Sequence, residues 1–155
     1  MLKILFDFTA KAFEDIIKEV ADVEIKRADS FIISSPTMMS AVVGVSGISG
    51  RIILTTIYQD AKNIATYMNF GDANLSEEDV FLYFAEFANM YCGRATTYMN
   101  DEFHSKEIEI TPPSIFTADD LKVISPNLIT QKAYYQTSFG SFIVDVGSVD
   151  SDDDF

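Results

Sequence analysis

Residues 76–100 read SEEDVFLYFAEFANMYCGRATTYMN, and the fold turns on how this stretch is interpreted. Ser76 followed three residues later by Asp79 has the form of a helix N-terminal cap. From about Glu77 to Asn100, Val80, Phe84, Phe87, Ala88, Tyr91, Ala95 and Tyr98 fall in one sector at about 100° per residue, which predicts a long helix with one buried side. Leu82, Glu86, Asn89, Gly93, Thr96 and Asn100 occupy the opposite side and are expected to face solvent. Two of these do not suit a plain solvent face. Leu82 is large and apolar, and Gly93 lies in a helix interior at a cost of about 1 kcal/mol relative to Ala. A position without a side chain, one turn beyond Asn89, lets a partner's backbone approach that amide. The stripe Leu82, Glu86, Asn89, Gly93 and Thr96 therefore reads as a docking surface, although every amphipathic helix has a polar side and spacing alone assigns it no chemistry.

On the N-terminal side, Phe6, Ala10, Phe13, Ile16, Ile17 and Val20 recur at helical steps and predict a helix over about residues 6–20. Ser40 to Tyr58 is rich in Val, Ile and Thr and interrupted by Gly44, Gly47 and Gly50, as a hairpin would be. Residues 59–68 predict a short helix stopped by Asn69-Phe70-Gly71. After the long helix the pattern returns to strands: Ile108 and Ile110, then Val123 to Ile129, then Ala133 to Val149, with breaks at Pro112-Pro113 and Pro126-Asn127. Helix, strands, short helix, long helix, strands is the order of an α+β protein. A mainly antiparallel sheet packed in two layers against two long helices, built from two pseudo-repeated helix-plus-strands halves, is expected. Residues 1–149 form the expected single domain, and 150–155, with Asp150, Asp152, Asp153 and Asp154, a solvated acidic tail.

The chain has 155 residues, 48% of them hydrophobic, which is enough to bury a core without disulfides or a structural metal. Its formal charge of −13 argues against nucleic-acid binding, which needs clustered Lys and Arg. A single cysteine, Cys92, and a single histidine, His104, give no zinc spacing, so no metal site is expected. Cys92 has no neighbouring base and reads as inert. The opening apolar run is cut at Asp7, too short for a signal peptide or a membrane span, and a cytoplasmic protein is expected.

At Glu86-Phe87-Ala88-Asn89 the sequence resembles the CheX/CheC/FliY family of chemotaxis phosphatases. The family motif is Asp or Ser, three residues, Glu, two residues, Asn, twenty-two residues, Pro. Glu86 and Asn89 have that spacing, and Pro112 is the twenty-third residue after Asn89. Asn89-Met90 with Gly93, the segment Ile110-Thr111-Pro112-Pro113 and the region 45–50 also look like CheX, so the similarity spans roughly residues 6–148. Leu82 departs from the pattern, standing where the family has Asp or Ser. The two-site members repeat Glu-x-x-Asn on the first helix; the corresponding stretch here, Glu14-Asp15-Ile16-Ile17, has Ile in place of Asn, which leaves one site per chain.

The resemblance implies a phosphatase acting on the aspartyl phosphate of a phosphorylated CheY-like response-regulator receiver. It also implies that Asn89 orients the attacking water, that Glu86 pairs with the receiver's active-site lysine, that Mg²⁺ sits on the receiver and not on this chain, and that two copies form a homodimer. Leu82, Gly93 and Thr96 would contact the partner, and Pro112 is read as a structural strand-edge or bulge residue. The alternative is a dimeric CheX-like module that binds a receiver without dephosphorylating it.

Overall fold

The structure is a computed structural model and describes residues 1–149; the expected acidic tail, 150–155, lies outside the described residues. Three helices, α1 (Leu2–Ala21), α2 (Tyr58–Met68) and α3 (Glu77–Phe103), accompany seven strands: β1 (Lys26–Ala28), β2 (Thr37–Ser46), β3 (Gly50–Ile57), β4 (Glu109–Ile110), β5 (Ser114–Asp119), β6 (Ile129–Thr137) and β7 (Gly140–Ser148). All pair antiparallel in one sheet of order β1-β6-β7-β3-β2-β4, with β5 also on β2.

This order makes the expected pseudo-repeat visible. One half is α1, β1, β2, β3; the other is α3, β4 with β5, β6, β7. Their last strands, β3 and β7, pair at the centre of the sheet, while β1 leaves its own half to pair with β6 and β5 leaves its half to pair with β2. Each half thus completes the other's sheet, so neither is independently closed.

Alternation along the strands sends Met39, Ala41, Ile52, Leu54, Phe142 and Val144 to the helix side, where α1 and α3 cover them. Phe13 of α1 sits at the middle of this core. Its ring lies 5.9 Å from Phe87 and 5.4 Å from Tyr91 on α3, 5.0 Å from Tyr135 on β6 and 5.8 Å from Phe142 on β7, centroid to centroid. The edges of the two helices are tied by Tyr98 donating to Asp15 at 2.6 Å and by Arg94 clasping Glu19 through two 2.9 Å bonds.

Several expectations need correction. The first helix begins a turn earlier than its apolar period suggests, because Leu2 and Leu5 also enter the core. The strand expected over 123–129 is not formed: residues 121–128 run as a loop, and Ile129 opens β6. A strand at 114–119 was not foreseen, since Pro112-Pro113 reads as a break. In fact β4 and β5 follow one sheet edge: Ile110 faces Val45 and Ser114 faces Val42, so three residues on this edge oppose two on β2. That is a bulge, and Pro112, which cannot donate to a ladder, sits within it. Thr111 holds the bulge by exchanging bonds with Gly44, amide to carbonyl and hydroxyl from amide, each 2.9 Å.

Gly47 turns the β2–β3 hairpin at φ +87°, and a Cβ there would lie 2.7 Å from the carbonyl oxygen of Glu107. Gly47→Ala is therefore expected to lower unfolding stability by more than about 1 kcal/mol, measured by urea titration, because left-handed strain and a backbone clash act together. An unchanged midpoint would contradict this close approach.

Candidate functional site

The second long helix is set by the predicted signals. Ser76 accepts from the Asp79 amide at 3.1 Å and Asp79 accepts from the Ser76 amide at 3.0 Å, a complete capping box, and Glu77, Glu78 and Asp79 complement the dipole of the first turn. Burial of Phe84, Phe87, Ala88 and Tyr91 then fixes the rotation of α3 about its own axis. With that side held down, Leu82, Glu86 and Asn89 are turned outward, Leu82 at 63% exposure.

Glu86 and Asn89 are both exposed and lie one turn apart on one face. Among the described residues neither side chain has a hydrogen-bond or ion-pair partner, so both are available to an outside group. Glu86 lines a shallow concavity with Asp79, Leu82 and Tyr83. A Cβ added at Gly93 would meet only Ile110 Cδ1, at 3.9 Å, an ordinary contact. The protein's own packing therefore does not demand glycine there. Gly93→Ala is expected to stabilise the fold by about 0.5–1 kcal/mol through helix propensity, whereas Gly93→Gln is expected to obstruct docking beside Asn89. Thermal unfolding of the two variants and their binding of a partner separate these effects.

Two residues expected to face solvent are wholly or partly covered. Thr96 is 7% exposed and its hydroxyl donates to the Gly93 carbonyl at 2.8 Å, which removes it from the partner-contacting set. Asn100 is half-buried and clamps the chain after the helix, donating to the Ile108 carbonyl at 2.9 Å and accepting from the Ile108 amide at 3.2 Å. The segment 108–110 folds along this flank of α3, so the C-terminal half of the helix is covered on two sides. Pro112 is exposed on the bulge just beyond that segment.

Cys92 is fully buried, further inside than its place at the edge of the apolar stripe suggests, and burial pushes its thiol far above the usual range. His104 is exposed and ends α3 in a left-handed cap. On α1, Ile17 is fully buried and Glu14 accepts from the Tyr135 hydroxyl at 3.3 Å, so residues 14–17 present no second exposed pair.

A larger cavity, of about 360 Å³, lies on the far face of the sheet, floored by Met38, Thr55, Ile143 and Asp145. Those residues alternate with the ones facing the helices, which puts the cavity across the sheet from Glu86 and Asn89. The paired carboxylate and carboxamide stand instead on an open helical face. Such a face cannot enclose a small substrate. It suits a reacting group carried in a pocket of another macromolecule, to which it adds two polar groups. Among the described residues no helix is long and apolar enough to cross a membrane.

The family model described as chemotaxis phosphatase CheX matches residues 39–139. No curated protein sequence matches the chain. Among solved structures, the chemotaxis protein CheX of Desulfovibrio desulfuricans is similar with a TM-score of 0.74 at 19% identity, covering 92% of this chain and 97% of that one. CheX of Vibrio vulnificus has a TM-score of 0.75 at 14% identity, covering 92% and 95%. A CheX–CheY–BeF₃–Mg²⁺ complex from Borrelia burgdorferi matches with a TM-score of 0.69 at 18% identity, covering 92% and 96%. At these identities the structural likeness speaks for the fold.

Proposed function

Because this chain belongs to the CheX family of chemotaxis phosphatases, we propose that it hydrolyses the aspartyl phosphate of a phosphorylated CheY-like receiver domain, Asn89 orienting the attacking water and Glu86 anchoring the partner. The observation that carries this reading is the exposed, unpartnered Glu86 and Asn89 on one turn of α3, beside a Gly93 whose missing side chain the fold itself does not require. The similarity to a CheX solved together with CheY supports a CheY-like partner, and in this proposal the protein works in the cytoplasm.

An aspartyl phosphate is a mixed anhydride. In its hydrolysis the water oxygen bonds to phosphorus, the bond from phosphorus to the aspartyl oxygen breaks, the carboxylate leaves as an anion, and the proton from water passes to phosphate or solvent. Little covalent chemistry is needed; the barrier falls chiefly through in-line positioning and charge stabilisation. A carboxamide is suited to this, since its oxygen accepts from the water while its NH₂ donates to a phosphoryl oxygen. Glu86 cannot face the phosphoryl group unpaired, because two anions repel at contact distance. Pairing with the receiver's lysine removes that charge and fixes the register of α3 over the phosphate.

Glu86 alone would offer Mg²⁺ a single anionic ligand, the Asn89 carboxamide being neutral. The ion, which would screen the phosphoryl charge, belongs in this proposal to the receiver. The homodimer implied by the family is retained as part of the proposal and is checked by sedimentation. Leu82, where the family motif has Asp or Ser, favours the second reading, a module that binds a receiver without hydrolysing it.

The deciding experiment mixes the protein with receiver domains phosphorylated by a small-molecule donor and follows phosphate release. Faster release from at least one receiver is expected. Binding of phosphorylated receiver with no change in its lifetime would replace the phosphatase by the binding module.

A further inference from the structure

The outer face of the sheet, across from α1 and α3, is crossed by two loops that leave the cavity of about 360 Å³ between them. Residues 29–36 join β1 to β2 and residues 120–128 join β5 to β6, so the loops hold corresponding places in the two halves. The Asp120 amide donates to the Pro36 carbonyl at 2.8 Å, which fastens one loop to the other, and Arg51 of β3 donates to the Ile124 carbonyl at 3.3 Å. The walls are thus tied in place around a space that suits a small organic molecule. Yet Ile33 and Ile124, which line it, remain 69% and 71% exposed. An apolar body entering the cavity would take their surface out of water.

One charged group stands in the floor. Asp145 of β7 is half-buried, and its Oδ1 is closed off from solvent without a hydrogen-bond partner among the described residues. Burial raises its carboxyl above the usual range, an effect that Lys132 and Arg51 only partly oppose. Lys132 faces Asp145 across the β6–β7 pair but forms no ion pair with it among the described residues. Thr55 makes the contrast. It and Asp145 flank the central pair of Leu54 and Val144, but the Thr55 hydroxyl is satisfied by Ser40 at 2.8 Å. Asp145 is an acceptor that the protein's own bonding leaves over.

The charges around the cavity select the class of ligand. Asp120 and Asp145 are balanced by Lys122 and Lys132, so the lining has no net charge with which to hold an ion. A carboxylate would be repelled by Asp145, and an ammonium beside Asp145 would be repelled by Lys132 and Arg51. A neutral donor meets neither penalty and satisfies the acceptor. We infer that this cavity binds a small neutral molecule with an apolar body and one hydroxyl or N–H group that donates to Asp145. The site lies across the sheet from Glu86 and Asn89 and does not depend on the function proposed for them.

Hexan-1-ol, hexanoate and hexylammonium share one apolar body and differ in head group; each is titrated into the protein and followed by NMR. Hexan-1-ol is expected to saturate one site, shifting Ile33, Ile124 and Ile143, and to bind about fivefold or more tighter than either ion. Asp145→Val, close in size and lacking the acceptor, should weaken hexan-1-ol roughly tenfold. Its unfolding temperature should hold or rise, since an unpaired half-buried carboxylate is lost. Asp145→Asn keeps an acceptor oxygen, so hexan-1-ol should bind within about twofold of the parent while the gap to hexanoate narrows. Equal affinity of Asp145→Val and the parent for hexan-1-ol would overturn the role of Asp145. Shifts that are scattered or never saturate would overturn the site, and tighter binding of either ion would overturn the neutral class. Self-association that buries Ile33 and Ile124 and excludes hexan-1-ol would assign the mouth to a second copy, and overturns the proposal too.

Discussion

Asn89→Ala is expected to reduce turnover of a phosphorylated receiver by about 10²-fold or more, with thermal unfolding unchanged. The first half follows from the role assigned to the carboxamide: a preorganised polar group that acts in the transition state is worth this much when removed. The second half follows from the structure, where Asn89 is exposed and makes no hydrogen bond among the described residues, so truncation leaves nothing buried and unpaired. Glu86→Ala should behave differently. Its loss leaves the receiver's lysine without its partner in the complex, so binding weakens by about 2 kcal/mol or more while turnover at saturation falls less. Steady-state phosphate release under varied receiver concentration separates the two. Equal losses of kcat in both variants would mean that the carboxylate also acts on the reacting groups, and unchanged kinetics in Asn89→Ala would remove the mechanism.

The second large effect is on stability. Phe13→Ala is expected to cost about 3–5 kcal/mol, read from urea unfolding. Phe13 is fully buried and touches rings from α3, β6 and β7, two of them, Phe87 and Tyr91, edge to face. Phe87 lies between Glu86 and Asn89 in sequence and on the opposite side of the helix. The same contact that stabilises the core therefore sets how those two residues are aimed. A cost below about 1 kcal/mol would mean that the surrounding rings collapse into the space, and the orientation of α3 would then have to rest on other contacts.

Much of the fold was legible because its signals are local. The capping box at Ser76 and Asp79, the apolar period of α1 and α3, and the Val/Ile/Thr-rich hairpin around Gly47 are each contained within a few turns or one strand pair. The differences have separate physical causes. Thr96 and Asn100 lie opposite the main apolar stripe on a helical wheel, but residues 108–110 return along that flank and cover them, and a wheel reports only the helix's own pattern. Residues 123–129 carry the Val and Ile that favour strands, yet 121–128 is loop; Leu121, Val123 and Ile124 help line the cavity over the outer face of the sheet. β5 was missed because a pair of prolines looks like an ending, whereas on an edge strand the same pair is tolerated in a bulge.

By itself the sequence determined the kinds of elements, the start of α3, and the alignment of Leu82, Glu86, Asn89 and Gly93 on one helical face, since these depend on spacing along a single segment and on the residues' own chemistry. Only the tertiary structure decided that the two halves exchange their first strands and that Thr96 and Asn100 are covered. Those outcomes depend on which distant segment arrives against which face. Periodicity within one element carries no information about that arrival, because it is settled by the closure of the whole sheet around one shared core.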